Sequence, residues 1–243
     1  MDHSNARRLN SALPQTARVI DVGGGGSVFP RADYVIDLCP YVGRNALGEL
    51  NDIPARYSSE TWIQQDLCAR TPWPYPDKFF DFATCSHVFE DVRDPIWLCS
   101  EISRIAKAGY VETPSRVLEQ CRGVENPSYA GYYHHRWLIE REGETLKFRQ
   151  KAHNLHTLND AIVADLGPNQ RVAPKHAIFV YEWKDELRAE EVTEFSQEEV
   201  EKEMTAFAAR ARSIPDLTES MGLSGLPLLK RWLFWRRLQR GAR

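Results

Sequence analysis

The sequence predicts an α/β fold: a doubly wound, mostly parallel sheet carrying an inserted β-hairpin and a helical C-terminal extension. Three observations predict it. Short apolar runs of strand type recur through the first half with little alternation, as in strands covered on both faces. A glycine cluster, Gly23 to Gly26, directly follows the first run, at the place where parallel sheets open a binding crevice. One amphipathic segment between the fourth and fifth runs has the signals of a capped helix.

The runs are 18–22 (RVIDV), Tyr34 to Leu38, Thr61 to Gln65 and Phe80 to Cys85, the last preceded by the turn-rich TPWPYPDK. The helix spans Asp94 to Lys107. Asp94 suits its cap, Pro95 its first position and Gly109 its end, and Leu98, Ile102 and Ile105 give it one apolar face. A strand at Tyr110 to Thr113 leads into Pro114. Trp137 to Glu140 and Leu146 to Arg149 flank the turn at 142–144 and read as a hairpin. A helix is expected from Leu155 to Leu166 and a last strand from Ala177 to Trp183. The organisation expected is a domain over 1–185 and a helical, C-terminally basic extension over 186–243, with the acidic run Glu190 to Glu203 as a solvated helix face.

A chain of 243 residues with a net charge of −3 can bury one good core and is no general polyanion binder. No apolar stretch is long enough to span a membrane, and the N-terminus lacks the apolar centre of a secretory signal. The five scattered cysteines form no CxxC pair, so reduced thiols and a cytoplasmic location are expected.

The glycine turn has the pattern Asp21-x-Gly23-x-Gly25-x-Ser27. Glycine there lets a ligand approach backbone that a Cβ would block. A dinucleotide fingerprint asks for G-x-G-x-x-G and an acid about 20 residues on. Here Val28 stands at the third glycine, and Asp37 follows Gly23 by only 14 residues. A nicotinamide-dependent sugar enzyme would also need a Tyr-x-x-x-Lys pair, which the chain lacks.

VIDVGGGG resembles motif I of the class I S-adenosylmethionine-dependent methyltransferases, whose fold is Rossmann-like. The segment YPDKFFDFATCSHVFEDVRDPIWLCSEISRIAKAGY resembles the same family over more than 30 residues without a gap. It brings Asp81, Ser86, His87, Glu90, Asp91, Asp94, Pro95, Glu101, Arg104, Lys107 and Gly109 into register. The resemblance implies S-adenosyl-L-methionine as cofactor. It implies Gly23 and Gly25 as close-approach positions, Asp37 as the ribose ligand and Asp66 as the acid meeting the adenine amino group. Asp21, Leu67, Ser86 and His87 complete the expected pocket. Two features depart from the family. Only six residues separate Ser27 from Tyr34, too few for a crossover helix, so a loop and a shallower roof over the pocket are expected. Lys107-Ala108-Gly109-Tyr110 replaces the common Pro-Gly-Gly.

Methyl transfer asks the protein to position an acceptor and, for a hydroxyl, to remove a proton. His134 and His135 read either as structural hydrogen-bonding residues or, one of them, as the base or acceptor ligand, with Glu112, beside Ser115, the second choice for an acceptor-side carboxylate. His87 reads either as lining the adenosine pocket or as catalytic. His153-x-x-His156 lacks a third ligand at suitable spacing, so no metal site is expected. GYVETPS and HHRWLIEREGETLKFRQK resemble a bacterial subgroup associated with surface glycans or secondary metabolites, which implies a sugar or small-molecule acceptor. The rival reading is a module of this fold that holds cofactor without turnover.

At the C-terminus Trp232, Phe234 and Trp235 interleave with Lys230, Arg231, Arg236, Arg237, Arg240 and Arg243. That tail is expected to dock its aromatics on a core or partner, with peripheral membrane contact as the alternative and nucleic acid disfavoured.

Overall fold

The computed structural model describes residues 1–25, 27–41 and 53–221; the C-terminal basic tail and Gly26 lie outside them. In chain order the elements are α1 (His3–Ala12), β1 (Val19–Val22), β2 (Tyr34–Asp37), β3 (Trp62–Gln64), β4 (Phe82–Ser86), α2 (Pro95–Ile105) and β5 (Ala108–Pro114). There follow α3 (Arg116–Glu119), β6 (Cys121–Arg122), β7 (Trp137–Glu142), β8 (Thr145–Gln150), β9 (Ala164–Asp165) and β10 (Gln170–Val172). The last are α4 (Pro174–Ala177), β11 (Ile178–Lys184), β12 (Arg188–Val192), α5 (Gln197–Ala211) and β13 (Thr218–Ser220).

The central sheet has the order β11-β5-β4-β1-β2-β3. All its pairings are parallel except that of β11, which runs antiparallel along β5. The apolar runs form these strands because both faces are covered. Ile20, Val22 and Val111 enter the core on the α2 side, while Val19 and Tyr110 pack on the other face with Ala6 and Leu9 of α1. The chain therefore has the predicted Rossmann-like α/β class.

α2 starts as expected: the Asp94 carboxylate accepts from Trp97 N–H at 3.0 Å, and Pro95 opens the first turn. Leu98, Ile102 and Ile105 are fully buried, each contributing about 1.5–3 kcal/mol. Its end differs from expectation. Ala106 is already extended, and Gly109 lies inside β5. A Cβ at Gly109 would stand 2.5 Å from the Ala83 carbonyl oxygen and 2.7 Å from the Trp183 ring, so close strand packing, not helix capping, requires glycine there.

Among the described residues no helix joins β1 to β2, as the short spacing predicts. The missing cover comes from α1, an element the sequence reading did not foresee. Phe29 and Ala32 of the crossover pack with Ala6, Leu9 and Val19. Arg31, 2% exposed, braces this arrangement by donating to the carbonyls of Pro14 (2.8 Å) and Ala17 (3.0 Å) and by pairing with Asp33.

The hairpin forms from β7 and β8, turning at Gly143 with φ +59°. β12 extends it by pairing parallel to β8. The helix expected from Leu155 to Leu166 does not form. Two short 3-10 turns, His153–Thr157 and Asn159–Ala161, precede β9. The carbonyls a helix would use internally are taken from outside. Arg122 binds the carbonyl of His156, and Arg212 binds those of Asp160 and Ile162. The N–H groups of Val163 and Leu166 pair with the carbonyls of Gln120 and Arg122. With its partners committed elsewhere, the backbone has no helical ladder to close.

The acidic run also divides. Glu190 to Val192 lie in β12, and α5 begins later, on a capping box of Ser196 and Glu199. Glu203 faces inward and pairs with Arg116, which also pairs with Glu140 and lies 4.0 Å over the Phe207 ring. The position expected to divide the chain, near 186, falls between β11 and β12, and β12 joins the hairpin sheet on its other side. Among the described residues no helix is long and apolar enough to cross a membrane.

Candidate functional site

β1 is flanked by β2 on one side and β4 on the other, so the chain winds away from it in both directions. In such sheets the crevice lies beyond the carboxyl ends of the strands at this switch point. The glycine turn sits there, with Gly23 at φ +69° and Gly25 at φ +55°. Gly25 N–H donates to Asp37 Oδ2 at 2.6 Å, and Cys39 N–H donates to Asp37 Oδ1 at 2.6 Å. Asp37, 4% exposed, is thereby fixed at the end of β2 with accepting capacity left on each oxygen.

The two glycines have different surroundings. Among the described residues a Cβ on Gly25 would meet nothing nearer than the Gly23 carbonyl oxygen at 3.8 Å, so no described side chain covers its backbone beside Asp37. A Cβ on Gly23 would stand 2.4 Å from Val88 and 3.2 Å from Leu67. There the absent side chain makes room for core packing. Asp21 lies beneath the turn: its buried carboxylate accepts from Phe29 N–H at 2.9 Å and from the Thr84 hydroxyl at 2.6 Å. Burial holds its pKa above the ordinary carboxylate value despite those donors. It shapes the loop from below. Asp66 is exposed after β3 and accepts from Cys68 N–H at 2.8 Å, while Leu67 is buried.

Ser86, His87 and Glu112 meet at the ends of β4 and β5. Glu112 is fully buried and accepts from five donors: Ser86, Tyr110, Asn5, Asp2 N–H and His87. Burial pushes its carboxyl up, but His87, the terminal amine and Tyr110 outweigh it and leave the pKa at about 2. A carboxylate so saturated positions its neighbours and is no general base. His87 adopts φ +56°, a left-handed conformation rare for a side chain with a Cβ. It reaches Glu90 through Nδ1 and Glu112 through Nε2, each at 3.3 Å. Burial opposes its charge, yet those two carboxylates raise its pKa above the usual imidazole value.

Glu90 is a site feature that the sequence reading placed in register without giving it a role. It is 2% exposed, and its Oε2 has no hydrogen-bond partner among the described residues. A buried acceptor without a partner is rare and costly, and here it lies behind the His87 imidazole. The Glu90 carbonyl also accepts from Arg136 N–H at 2.7 Å, which brings the segment holding His134 and His135 alongside. His134 is half-exposed, with Nε2 3.7 Å from Asp91. His135 is buried, its Nδ1 2.8 Å from Glu119. His153 and His156 do not join this group, and His156 Nδ1 accepts from Ala130 N–H.

This sheet order, with a bare glycine turn at its switch point, is a Rossmann-like α/β architecture. Residues 20–111 match the family model described as a methyltransferase domain. None of the curated proteins compared matches the chain. Among solved structures it is similar to an S-adenosylmethionine-dependent methyltransferase from Mesorhizobium loti (20% identity, 60% of this chain and 63% of that one, TM-score 0.35). It is also similar to a putative methyltransferase from Bacillus halodurans (21% identity, 46% and 52%, TM-score 0.33). A third is a putative methyltransferase of an antibiotic biosynthesis pathway from Anabaena variabilis (14% identity, 51% and 50%, TM-score 0.37). The chain spans under two thirds of the length of each, and the overlap is partial.

Proposed function

We propose that the protein transfers a methyl group from S-adenosyl-L-methionine to an oxygen of a small molecule or glycan. The observation that carries this reading is the turn at Gly25, where backbone that no described side chain covers borders a buried carboxylate at the end of β2. A carboxylate so placed can accept from two vicinal ribose hydroxyls. The bound cofactor would supply an electrophilic methyl group, and the chain's residues supply position and charge. Gly25 and Asp37 hold the nucleoside, with Asp66 on the base. Asp21, Ser86 and Glu112 keep the turn and strand ends in place. His87 stands beside the crevice where the acceptor meets the cofactor, with the buried Glu90 carboxylate behind it, and His134 and His135 border the acceptor side.

The acceptor class rests on the GYVETPS and HHRWL segments and on a polar crevice rim of histidines and carboxylates. Calorimetry with S-adenosylhomocysteine tests the cofactor half. Binding is expected, and Asp37→Ala should weaken it about 10- to 100-fold, roughly 1.5–3 kcal/mol for hydrogen bonds to a charged group. Unchanged affinity in that variant would remove Asp37 from the ribose. Formation of S-adenosylhomocysteine in the presence of hydroxylated sugars and phenols tests the acceptor half.

A further inference from the structure

Beside the crevice, Asp91, His134 and His135 each offer one ligand atom, all within 4.8 Å of one another. Two segments far apart in sequence meet here, and hydrogen bonds on both sides of the ligands fix them. Arg136 N–H donates to the Glu90 carbonyl at 2.7 Å, and Trp137 Nε1 donates to the Val92 carbonyl at 2.8 Å. Asp91 lies between the two acceptors, and His134 and His135 directly precede the two donors.

His135 is oriented from behind. Its Nδ1 is 2.8 Å from Glu119 Oε1, while Lys151 Nζ donates to Glu119 Oε2 at 2.6 Å. Glu119, Lys151 and His135 are all buried. The backbone of Gly131, at φ +59°, presses so closely on Glu119 that a Cβ there would lie 2.3 Å from its carboxylate. A buried carboxylate gripping one imidazole nitrogen fixes the tautomer and leaves Nε2 as the nitrogen able to coordinate. This is the arrangement that backs metal-bound histidines.

We propose that Asp91, His134 and His135 bind a divalent transition-metal ion of the zinc class. Two imidazoles and one carboxylate are a donor set suited to that class rather than to magnesium or calcium. Zinc bonds of about 2.0–2.2 Å place neighbouring ligand atoms roughly 3.5 Å apart. His134 Nε2 and Asp91 Oδ1 are already 3.7 Å apart, and both side chains are half-exposed, able to close the remaining gap. Three protein ligands leave a fourth position for water or an oxygen of a bound molecule. The site stands independently of methyl transfer in the neighbouring crevice.

Titration of the chelator-stripped full chain with Zn2+ by calorimetry, and with Co2+ by visible absorption, tests the site. One equivalent is expected to bind, with cobalt d–d bands of a nitrogen- and oxygen-ligated ion. Asp91→Asn and His134→Ala, both at half-exposed positions, should each weaken binding at least about 10-fold, and Glu119→Gln about 10- to 100-fold. His153→Ala should leave it unchanged, and thermal melts check that each variant folds. No binding, or binding that Asp91→Asn and His134→Ala leave intact, would overturn the proposal. Sulfur-to-cobalt charge-transfer bands would also overturn it, by assigning the ion to the partly exposed Cys39 or Cys68. None of these readouts involves methyl transfer, so the two readings fail separately.

Discussion

His87 combines a costly backbone conformation with contact to two buried carboxylates, and this gives the molecule a pH dependence with a definite sign. Its folded pKa lies above the ordinary 6.5, so its stabilisation is complete below about pH 6.5 and fades as pH rises through the folded value. Glu112 works oppositely. With its pKa lowered from 4.5 to about 2, its contribution is complete above about pH 4.5 and is lost as pH falls toward 2. The thermal midpoint is therefore expected to decline as pH is raised from 6.5 into the alkaline range. His87→Gln should flatten that decline; an unchanged slope would show that the imidazole is uncharged. The strand-end places of Asp37 and Gly25 were legible because apolar runs end beside them, and their part in a nucleoside site was what the motif resemblance implied. The saturation of Glu112 was not, since two of its donors, Asp2 and Asn5, lie more than 100 residues away.

At the level of elements, the glycine turn separates into a packing half and an open half. Gly23→Ala meets Val88 as well as left-handed strain, whereas Gly25→Ala meets strain alone, about 1–2 kcal/mol. The second variant should melt only about 2–8 °C lower, yet lose much of its affinity for S-adenosylhomocysteine. The first should melt lower still. Equal melting losses would show that Val88 yields freely. Strands and α2 could be read directly because their signals are local: apolar runs, Asp94, Pro95. The segment after Leu155 shows apolar spacing compatible with a helix. Its fate was decided by Arg122 and Arg212, which no local pattern announces.

For the molecule as a whole, the junction between the central sheet and the C-terminal part depends on Arg116. Its buried guanidinium joins Glu140 of the hairpin to Glu203 of α5 and covers Phe207. Arg116→Met would leave two partly exposed carboxylates without their shared cation, at a cost of about 1–3 kcal/mol. Amide exchange in α5 should accelerate more than exchange in β1 and β4; uniform acceleration would mean the molecule opens only as one unit. The class of fold was visible from half the chain, whereas the parallel addition of β12 to β8 depends on tertiary pairing and left no mark in the sequence.

Cys85, Cys99 and Cys121 are buried, while Cys39 and Cys68 are partly exposed. Those two follow the strand-end acids, Cys39 donating its amide to Asp37 and Cys68 to Asp66. One partly exposed cysteine thus stands two residues after each carboxylate assigned to the nucleoside. Alkylating reagents accordingly sense, from two sides, whether that ground is covered, and neither acid need be altered to ask.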